Sequence, residues 1–327
     1  KIGHDPQLLD KSPLADDKVR YVGDEVAAVA AVDEETAEEA LDLIQVEYEL
    51  LPAVFDPEQA MKAGAPIIHS HAKNNVLKAY HWKFGDVERR FKEADYIFED
   101  RFTTQQQPHV CMETHGCVAN WDSKGNLTVW SGTQIPQILR LRLADALGIS
   151  CTKVNVKSEY VGGAFGSKTE IFSHHVICAC LARKTGKAVK LILSREEEFT
   201  CTGTRHSMII KIKTGVKKDG TITARHIKAI LDKGAYASQY TVLASAGWKA
   251  ANLYRILDYK FDGYAVYTNK PFGTAYRAFG GPQIFFAVES QMDMIAEKLG
   301  VDPLNVRLKN ANRPGDITAT GSKLASC

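Results

Sequence analysis

The segment Val161-Gly-Gly-Ala-Phe-Gly-Ser-Lys-Thr-Glu170 places a glycine-rich turn between a predicted strand at about 153–160 and a predicted helix at about 170–185. Glycines let backbone amides approach a ligand closely, and the first turn of a helix favours negative charge. Two interpretations follow from the residues alone: a tight structural turn between strand and helix, or a loop that binds a ligand.

Two common phosphate-binding motifs do not match this segment. A nucleotide P-loop needs an adjacent Gly-Lys pair, but Ser167 separates Gly166 from Lys168. A dinucleotide-binding loop needs a second glycine where Ala164 stands. Nucleotide binding through this loop therefore remains only a minor alternative.

Two further segments carry side chains that suit an anionic or oxo-containing ligand. Thr274-Ala-Tyr-Arg-Ala-Phe-Gly-Gly-Pro-Gln283 is a second glycine-containing loop before a helix, and its Arg277 has the donor geometry for phosphate or oxo groups. Thr133-Gln134 follows a predicted strand and offers an amide donor. Alone, Arg277 is more typical of a stacked structural residue, and Gln134 is more typical of a solvated loop.

The region before these loops predicts a compact β-α-β unit over residues 18–51. The apolar run 25–32 is typical of a buried strand, Asp33 can cap the helix that follows, and 45–50 alternates like a returning strand. The stretch 52–82 contains prolines and no sustained period, so it is interpreted as a linker.

Periodicity in the remainder predicts a mixed chain of the α+β class, with Asp219-Gly220 as a hairpin turn. Strands are expected at 96–104, 110–120, 127–132, 153–160 and 189–193, and helices at 86–94, 136–147, 170–185, 283–299 and 303–311.

Composition limits the class of protein. With 327 residues and 45% hydrophobic content, more than one domain is expected. The 41 basic and 39 acidic residues nearly cancel, which disfavours nucleic acid and anionic membranes as partners. No apolar run reaches the roughly 18 residues of a membrane span, and no signal peptide is evident, so a cytoplasmic location is expected. The chain starts without methionine, which suggests an excised fragment.

Several other residues favour structural interpretations. His174-His175 lacks a matching ligand spacing, so a packed or exposed pair is expected, and Glu113 is interpreted as structural. Asp145 and Glu196-Glu-Glu198 are interpreted as solvated charges. The seven cysteines lack paired zinc or iron-sulfur spacing and are expected to be mostly reduced core residues: 111, 117, 151, 178, 180, 201 and 327.

Together and in this order, the three loops resemble the molybdenum hydroxylases, the family of xanthine dehydrogenase, aldehyde oxidase and 4-hydroxybenzoyl-CoA reductase. The resemblance covers nearly the whole chain and includes the stretches 17–31, 181–186, 194–197 and 302–310. It implies that residues 1–55 are the C-terminal part of an α/β hammerhead domain. Residues 56–327 would be the first molybdopterin-binding domain of a large subunit.

The family holds molybdenum through a pterin dithiolene without a direct side-chain ligand, so the protein contributes orientation and electrostatics. By resemblance, Gln134, Phe165 and Arg277 would contact the groups around the molybdenum. The full set of expected cofactor-binding residues is Gln134, Gly163, Ala164, Phe165, Gly166 and Arg277.

The expected substrate positions are Thr169, Ser245 and Phe279. Purine-specific members carry glutamate where this chain has Thr169, and arginine at the position aligned with Ser245, so xanthine is disfavoured. Glu170, one place later, would point about 100° away on a helix. Ala278 replaces the copper-binding cysteine of carbon monoxide dehydrogenases, which disfavours that reaction. Aromatic, N-heteroaromatic and aldehyde substrates stay open.

The resemblance also implies a molybdenum-molybdopterin cofactor in cytosine dinucleotide form, with [2Fe-2S] and FAD carried by partner subunits. The family's catalytic glutamate would lie beyond Cys327, with the remaining molybdenum-binding half. This chain alone is then expected to be inactive, and the reaction, water-dependent hydroxylation or reductive dehydroxylation, needs those partners. The alternatives are a non-catalytic scaffold half-subunit and a nucleotide-binding protein.

Overall fold

The computed structural model describes residues 1–3 and 8–326 and contains two β-sheets covered by helices. The larger sheet has five strands and contains both antiparallel and parallel neighbours, which confirms the mixed α and β prediction. Its strands, in spatial order, are β1 (Val76–Phe84), β9 (Tyr259–Tyr267), β8 (Ile222–Gly234), β7 (Met208–Val216) and β2 (Tyr96–Thr104).

The smaller sheet has four shorter strands, again mixed in direction. Leu127 and Val129 of one strand are fully buried, while alternate residues are half-buried, because one face of the sheet packs on helices. Its strands, in spatial order, are β5 (Val154–Lys157), β4 (Leu127–Ser131), β3 (Gly116–Trp121) and β6 (Val189–Ile192).

The helices cover these sheets and join their strands. They are α1 (Glu34–Asp42), α2 (Pro57–Ala60), α3 (Val87–Glu93), α4 (Pro136–Leu147), α5 (Ser173–Thr185), α6 (Arg195–Cys201), α7 (Thr241–Leu253), α8 (Gly281–Leu299) and α9 (Pro303–Asn310). Buried residues of α7 and α8 form one core with the five-stranded sheet, and those of α4 and α5 form another with the four-stranded sheet. Each helix within the described part of the chain is too short or too polar to cross a bilayer.

Local capping fixes several predicted boundaries. α4 spans the predicted 136–147 and ends where Gly148 adopts a left-handed φ of 65°. Asp86 accepts a hydrogen bond from the Arg89 amide at the start of α3. The predicted turn at Asp219-Gly220 joins the antiparallel strands β7 and β8. These elements confirm the sequence predictions because neighbouring residues decide them.

The predicted linker at 52–82 is wrong. Residues Val76–Phe84 form β1, which pairs with β9 along its length, and Asn75 before it is completely buried. The Asn75 side chain accepts from the Ile68 amide and donates to the carbonyls of Ala60 and Pro66, so it ties this stretch together. The prolines interrupt the hydrophobic period but not the tertiary packing.

Three other boundaries differ from the predictions. The strand predicted at 110–120 begins only at Gly116, because the chain before it turns sharply at Val110, whose φ is 50°. The helix predicted from 170 begins at Ser173. The strand predicted at 153–160 ends at Lys157. Each shortened end leads into one of the loops described below.

The β-α-β unit near the N-terminus is only partly confirmed. α1 forms as predicted, and Asp33 caps it by accepting from the Thr36 amide at 2.9 Å. The flanking strands predicted at 25–32 and 45–50 are wrong, because neither stretch has a paired strand among the described residues. A strand is held by its neighbour's hydrogen bonds, and without one these apolar side chains stay exposed, Leu50 by 94%.

Candidate functional site

The three loops singled out from the sequence meet at one place in the structure. The Gln134 side-chain oxygen accepts a hydrogen bond from the Gly166 amide at 3.0 Å. The Arg277 amide donates to the Phe165 carbonyl at 2.9 Å. Residues 162–169 therefore lie between the loop that ends β4 and the loop that precedes α8. We call Gln134, residues 162–169 and residues 274–280 the loop face.

The backbone of the first loop needs glycine where the second loop approaches. Gly166 has a φ of 108°, and a Cβ added there would lie 2.6 Å from the Ala275 carbonyl oxygen. Phe165 adopts a left-handed φ of 52° although it is not glycine. Such conformations cost about 1–3 kcal/mol each and persist only where the surroundings enforce them. The close approach of the two loops is the enforcing contact.

The second loop is held in a similar way from α7. Ala278 and Phe279 have φ values of 68° and 41°, and Lys249 donates to the carbonyl oxygens of both at 2.7 Å. Lys249 also donates to the Ser245 hydroxyl at 2.9 Å. The predicted substrate positions Ser245 and Phe279 are thereby joined through one lysine.

An ion pair between a buried lysine and an exposed glutamate supports the first loop. Lys168 is 2% exposed, and its ammonium donates to a Glu113 carboxylate oxygen at 2.6 Å. The same oxygen accepts from the Gly162 amide at 2.7 Å. Burial raises the pKa of Glu113, but Lys168 and this amide outweigh it, so the pKa lies below its usual range. These contacts support the structural interpretation of Glu113, and Lys168 is not free to bind a phosphate.

A second pair, with both side chains buried, holds the same loop one residue earlier. His115 donates through Nδ1 to Glu198 at 2.8 Å, and its Nε2 lies 3.3 Å from the Ser167 carbonyl. Glu198 is only 5% exposed, so the prediction that Glu196-Glu-Glu198 is solvated throughout is wrong at its last residue. α6, which the sequence did not predict, turns this one carboxylate inward while its neighbours stay exposed.

Aromatic and cationic groups fix the start of the second loop. His109 Nε2 lies 2.8 Å from the Ala275 carbonyl, and its ring lies 4.1 Å from that of Tyr276. The Arg205 guanidinium also lies over the Tyr276 ring, 3.9 Å from its centroid, and donates to the Arg277 carbonyl. Sequence reasoning did not identify His109 or Arg205, because nothing near them marks a loop contact.

The outward surface of the loop face carries donors and one aromatic ring. Gln134 and Arg277 are exposed, and Phe165 is 48% exposed. Because the Gln134 oxygen is bound to Gly166, its NH2 group is the available donor. Gly163 has a φ of 98°, Ala164 is buried, and Thr169 donates its hydroxyl to the Gly166 carbonyl at 2.7 Å. The face can bind an oxygen-rich, negatively charged group.

The remaining predicted residues are structural. His174 and His175 are both buried, and His175 Nε2 contacts the Ser131 hydroxyl at 3.1 Å, as expected of a packed pair. Cys111, Cys117 and Cys178 are buried free thiols, whereas Cys180 is exposed. Cys151 and Cys201 are half-buried, and Cys327 lies outside the described residues. Asp145 lies on an exposed turn of α4 near Arg142.

Family models match both parts of the chain. Residues 68–311 match the molybdopterin cofactor-binding domain, and residues 2–52 match the α/β hammerhead domain of aldehyde oxidase and xanthine dehydrogenase. The first match spans most of the sequence and contains the complete loop face.

Curated relatives agree with these matches. The chain is 38% identical to the nicotinate dehydrogenase large molybdopterin subunit of Eubacterium barkeri, over 97% of this chain and 74% of that protein. It is 39% identical to a probable xanthine dehydrogenase subunit of Bacillus subtilis, over 97% of this chain but 42% of that protein. The chain thus spans about two fifths of the length of the Bacillus relative.

A solved structure shows the same fold. The aldehyde oxidoreductase of Desulfovibrio gigas superposes with a TM-score of 0.88 and 32% identity, over 95% of this chain and 34% of that chain. Both the sequence and the three-dimensional arrangement therefore lead to the same group of proteins.

Proposed function

This chain belongs to the molybdenum hydroxylase family of xanthine dehydrogenases and aldehyde oxidases, and on that premise we propose that it forms the cofactor-binding portion of an oxidoreductase large subunit. The observation that carries the proposal is the meeting of the Gln134 amide, the 163–166 backbone and Arg277 on one exposed face. The domain boundary near residue 55 is part of the same proposal.

The loop face fits a molybdenum-pterin group in its donor chemistry. Gln134 offers an NH2 group to an oxo ligand, and Arg277 offers an exposed guanidinium to negative charge. Gly166 lets the second loop approach the first closely, so Gln134, the 163–166 backbone and Arg277 can contact one large planar group together. When bound, the group supplies hydroxylation of an electrophilic carbon with oxygen from water and accepts two electrons.

Within this proposal the chain's own residues orient the cofactor and the substrate and polarise the bound oxygen ligand. The Gln134 side chain is fixed by Gly166, so its donor is already aligned before any ligand arrives. Phe165 and Phe279 are the aromatic groups available to a flat substrate, and Phe279 is held in place by Lys249. The residues that define the loop face include no aspartate or glutamate, and the nearby Glu113 is paired with Lys168.

We propose an N-heteroaromatic substrate rather than a purine. Thr169 donates its hydroxyl to Gly166, and the Ser245 hydroxyl accepts from Lys249, so neither replaces the charged purine anchors of the family. The Eubacterium relative, of which this chain covers 74%, is a nicotinate dehydrogenase subunit by name. Aldehydes are the second candidate, because the superposed Desulfovibrio protein is an aldehyde oxidoreductase.

The proposal extends to the rest of the assembly. It includes the cytosine dinucleotide form of the cofactor and a second molybdenum-binding half, which completes the site. It also includes a [2Fe-2S] subunit and an FAD subunit, which carry electrons away from the substrate. The catalytic glutamate belongs to that second half, so this chain alone is expected to be inactive. The cytoplasmic location expected from the sequence stays a prediction. Nucleotide binding loses its support, because Lys168 is buried against Glu113.

The test is the molybdenum and pterin content of the full-length complex purified from its native source. We expect about one molybdenum and one pterin for each copy of the chain, with reduction by nicotinate-like compounds and not by xanthine. A complex without molybdenum or pterin would contradict the proposal and leave the scaffold alternative.

A variant in the same complex tests the role of Gln134. Gln134→Ala should retain the cofactor and lower turnover roughly tenfold to hundredfold, because one donor to an anionic group is lost. Gln137→Ala, an exposed residue three positions along on α4, is the matched control and should leave turnover unchanged.

A further inference from the structure

A fully buried lysine lies beneath the second loop, outside the face described above. Lys233 is the next-to-last residue of the long strand β8 and has no exposed surface. Its ammonium donates to the carbonyl of Gly273, immediately before the second loop. The Lys233 carbonyl accepts from the Gly273 amide at 3.0 Å, so this one residue holds Gly273 by both backbone groups.

A buried glutamate anchors the end of the first loop to the same segment. Glu170 is 4% exposed, and its carboxylate accepts a hydrogen bond from the Ser238 hydroxyl. Gln239 also donates to this carboxylate. Ser238 lies five positions after Lys233, so the stretch 233–239 contacts both loops from below.

The two buried charges compensate each other. Burial lowers the pKa of Lys233, and Glu170 opposes that shift more strongly than Asp10 or Asp232. Burial likewise raises the pKa of Glu170, against Ser238 and Lys233. Asp232 is engaged elsewhere, by Lys270 at 2.9 Å and by Thr268. Removing the lysine alone would therefore leave the buried Glu170 carboxylate with less compensation for its burial.

We propose that Lys233 and Glu170 are positioning residues of the cofactor site, which tie both loops to the segment 233–239 and so set the spacing between them. This inference rests on the proposed function. It goes beyond the motifs themselves, because Lys233 lies in none of the glycine-rich segments, and Glu170 was considered from the sequence only as a substrate anchor. The hydrogen bond from Ser238 shows that the Glu170 carboxylate points into the interior instead.

The experiment uses the full-length complex and a charge-neutral double variant, Lys233→Met with Glu170→Gln. Lys233→Met alone leaves a buried carboxylate uncompensated and can fail to fold, whereas the double variant removes both charges together. Lys228→Met is the matched control, because it removes an exposed lysine of the same strand β8, whose ammonium lies over the Tyr264 ring.

Three quantities are measured: the melting temperature, the rate of pterin release, and hydrogen exchange in peptides covering 162–170 and 273–280. We expect the double variant to melt close to the control but to release pterin roughly tenfold faster, with faster exchange in both peptides, because the lysine no longer holds Gly273. Wild-type release and exchange in the double variant would overturn the inference. Absence of molybdenum from the wild-type complex would instead contradict the proposed function, and the exchange data would still decide the loop spacing.

Discussion

The N-terminal unit around α1 and the loop face differ in what holds them. α1 depends on its own cap, and the stretches beside it have apolar side chains exposed, such as Val32 by 87% and Leu43 by 82%. The loop face has a weaker local pattern, yet Gln134, Phe165 and Arg277 are joined by hydrogen bonds between distant stretches of chain.

The difference separates elements that neighbouring residues decide from elements that depend on contacts between distant parts of the chain. A helix with an N-cap forms wherever its own residues favour it, but an extended stretch becomes a strand only beside a partner. The loops, in contrast, have conformations that isolated peptides disfavour, such as the left-handed Phe165, and only their mutual contact stabilises them. Substitutions at loop contacts should therefore have larger effects than substitutions near α1.

The largest effect is expected at Gly166. In Gly166→Ala the new Cβ would lie 2.6 Å from the Ala275 carbonyl at a φ of 108°, so the two loops must separate. We expect a loss of about 3 kcal/mol or more in unfolding free energy and loss of the cofactor from the complex, measured by urea unfolding and molybdenum content.

Gly186→Ala is the matched control for that substitution. Gly186 has a φ of 66° at the end of α5, with no atom within 4 Å of an added Cβ. It should cost about 1 kcal/mol and leave the molybdenum content unchanged. Equal effects of the two substitutions would show that backbone conformation alone, and not the loop contact, matters at Gly166.

The sequence predicted those elements that short-range interactions decide. α4 and the β7-β8 turn agree with the predictions because their glycines and prolines act on adjacent residues. α7 was not predicted, although Thr241, Ser245, Lys249 and Asn252 follow a helical spacing. Its opposite, alanine-rich face is buried on the five-stranded sheet. β1 was mistaken for linker because its partner β9 lies far along the chain.

The site was predicted in outline but not in its supports. The three loops could be identified from their residues, and the structure brings them together. The buried groups beneath them were not found: Glu198 looked like one of three solvated acids until α6 placed it against His115. Only the tertiary fold determines which carboxylate of such a run turns inward.

An intermediate effect is expected from acid. Burial lowers the pKa of His109 to about 4 and that of His175 to about 3, both below the ordinary value near 6.5. The unfolded chain therefore binds protons below pH 6.5 before the folded chain does. Stability from these neutral rings is complete above pH 6.5 and is lost as the pH falls towards 4, by about 3 kcal/mol for each ring.

His109→Gln tests this assignment, because glutamine keeps a donor for the Ala275 carbonyl without a titrating ring. Urea unfolding at several pH values gives the unfolding free energy as a function of pH. Below pH 6.5, the slope of this free energy against pH should be smaller than in the wild type by the equivalent of about one proton. An unchanged slope would show that His109 is not one of the groups that destabilise the protein in acid.

The smallest effect is expected at Asp33. Asp33→Ala removes the hydrogen bond to the Thr36 amide, so α1 should exchange its amide hydrogens faster. The melting temperature and the cofactor content should not change, because α1 has no buried residue. A large fall in either would mean that the α1 unit supports the loop face, and the contrast between the two regions would be lost.

The most direct test of the account is the position of molybdenum in a crystal of the full-length complex, located by its anomalous scattering. We predict a single peak over the loop face, beside the Gln134 side chain and between the loops that carry Phe165 and Arg277. A molybdenum peak on any other surface of this chain, with the loop face free of cofactor, would contradict it.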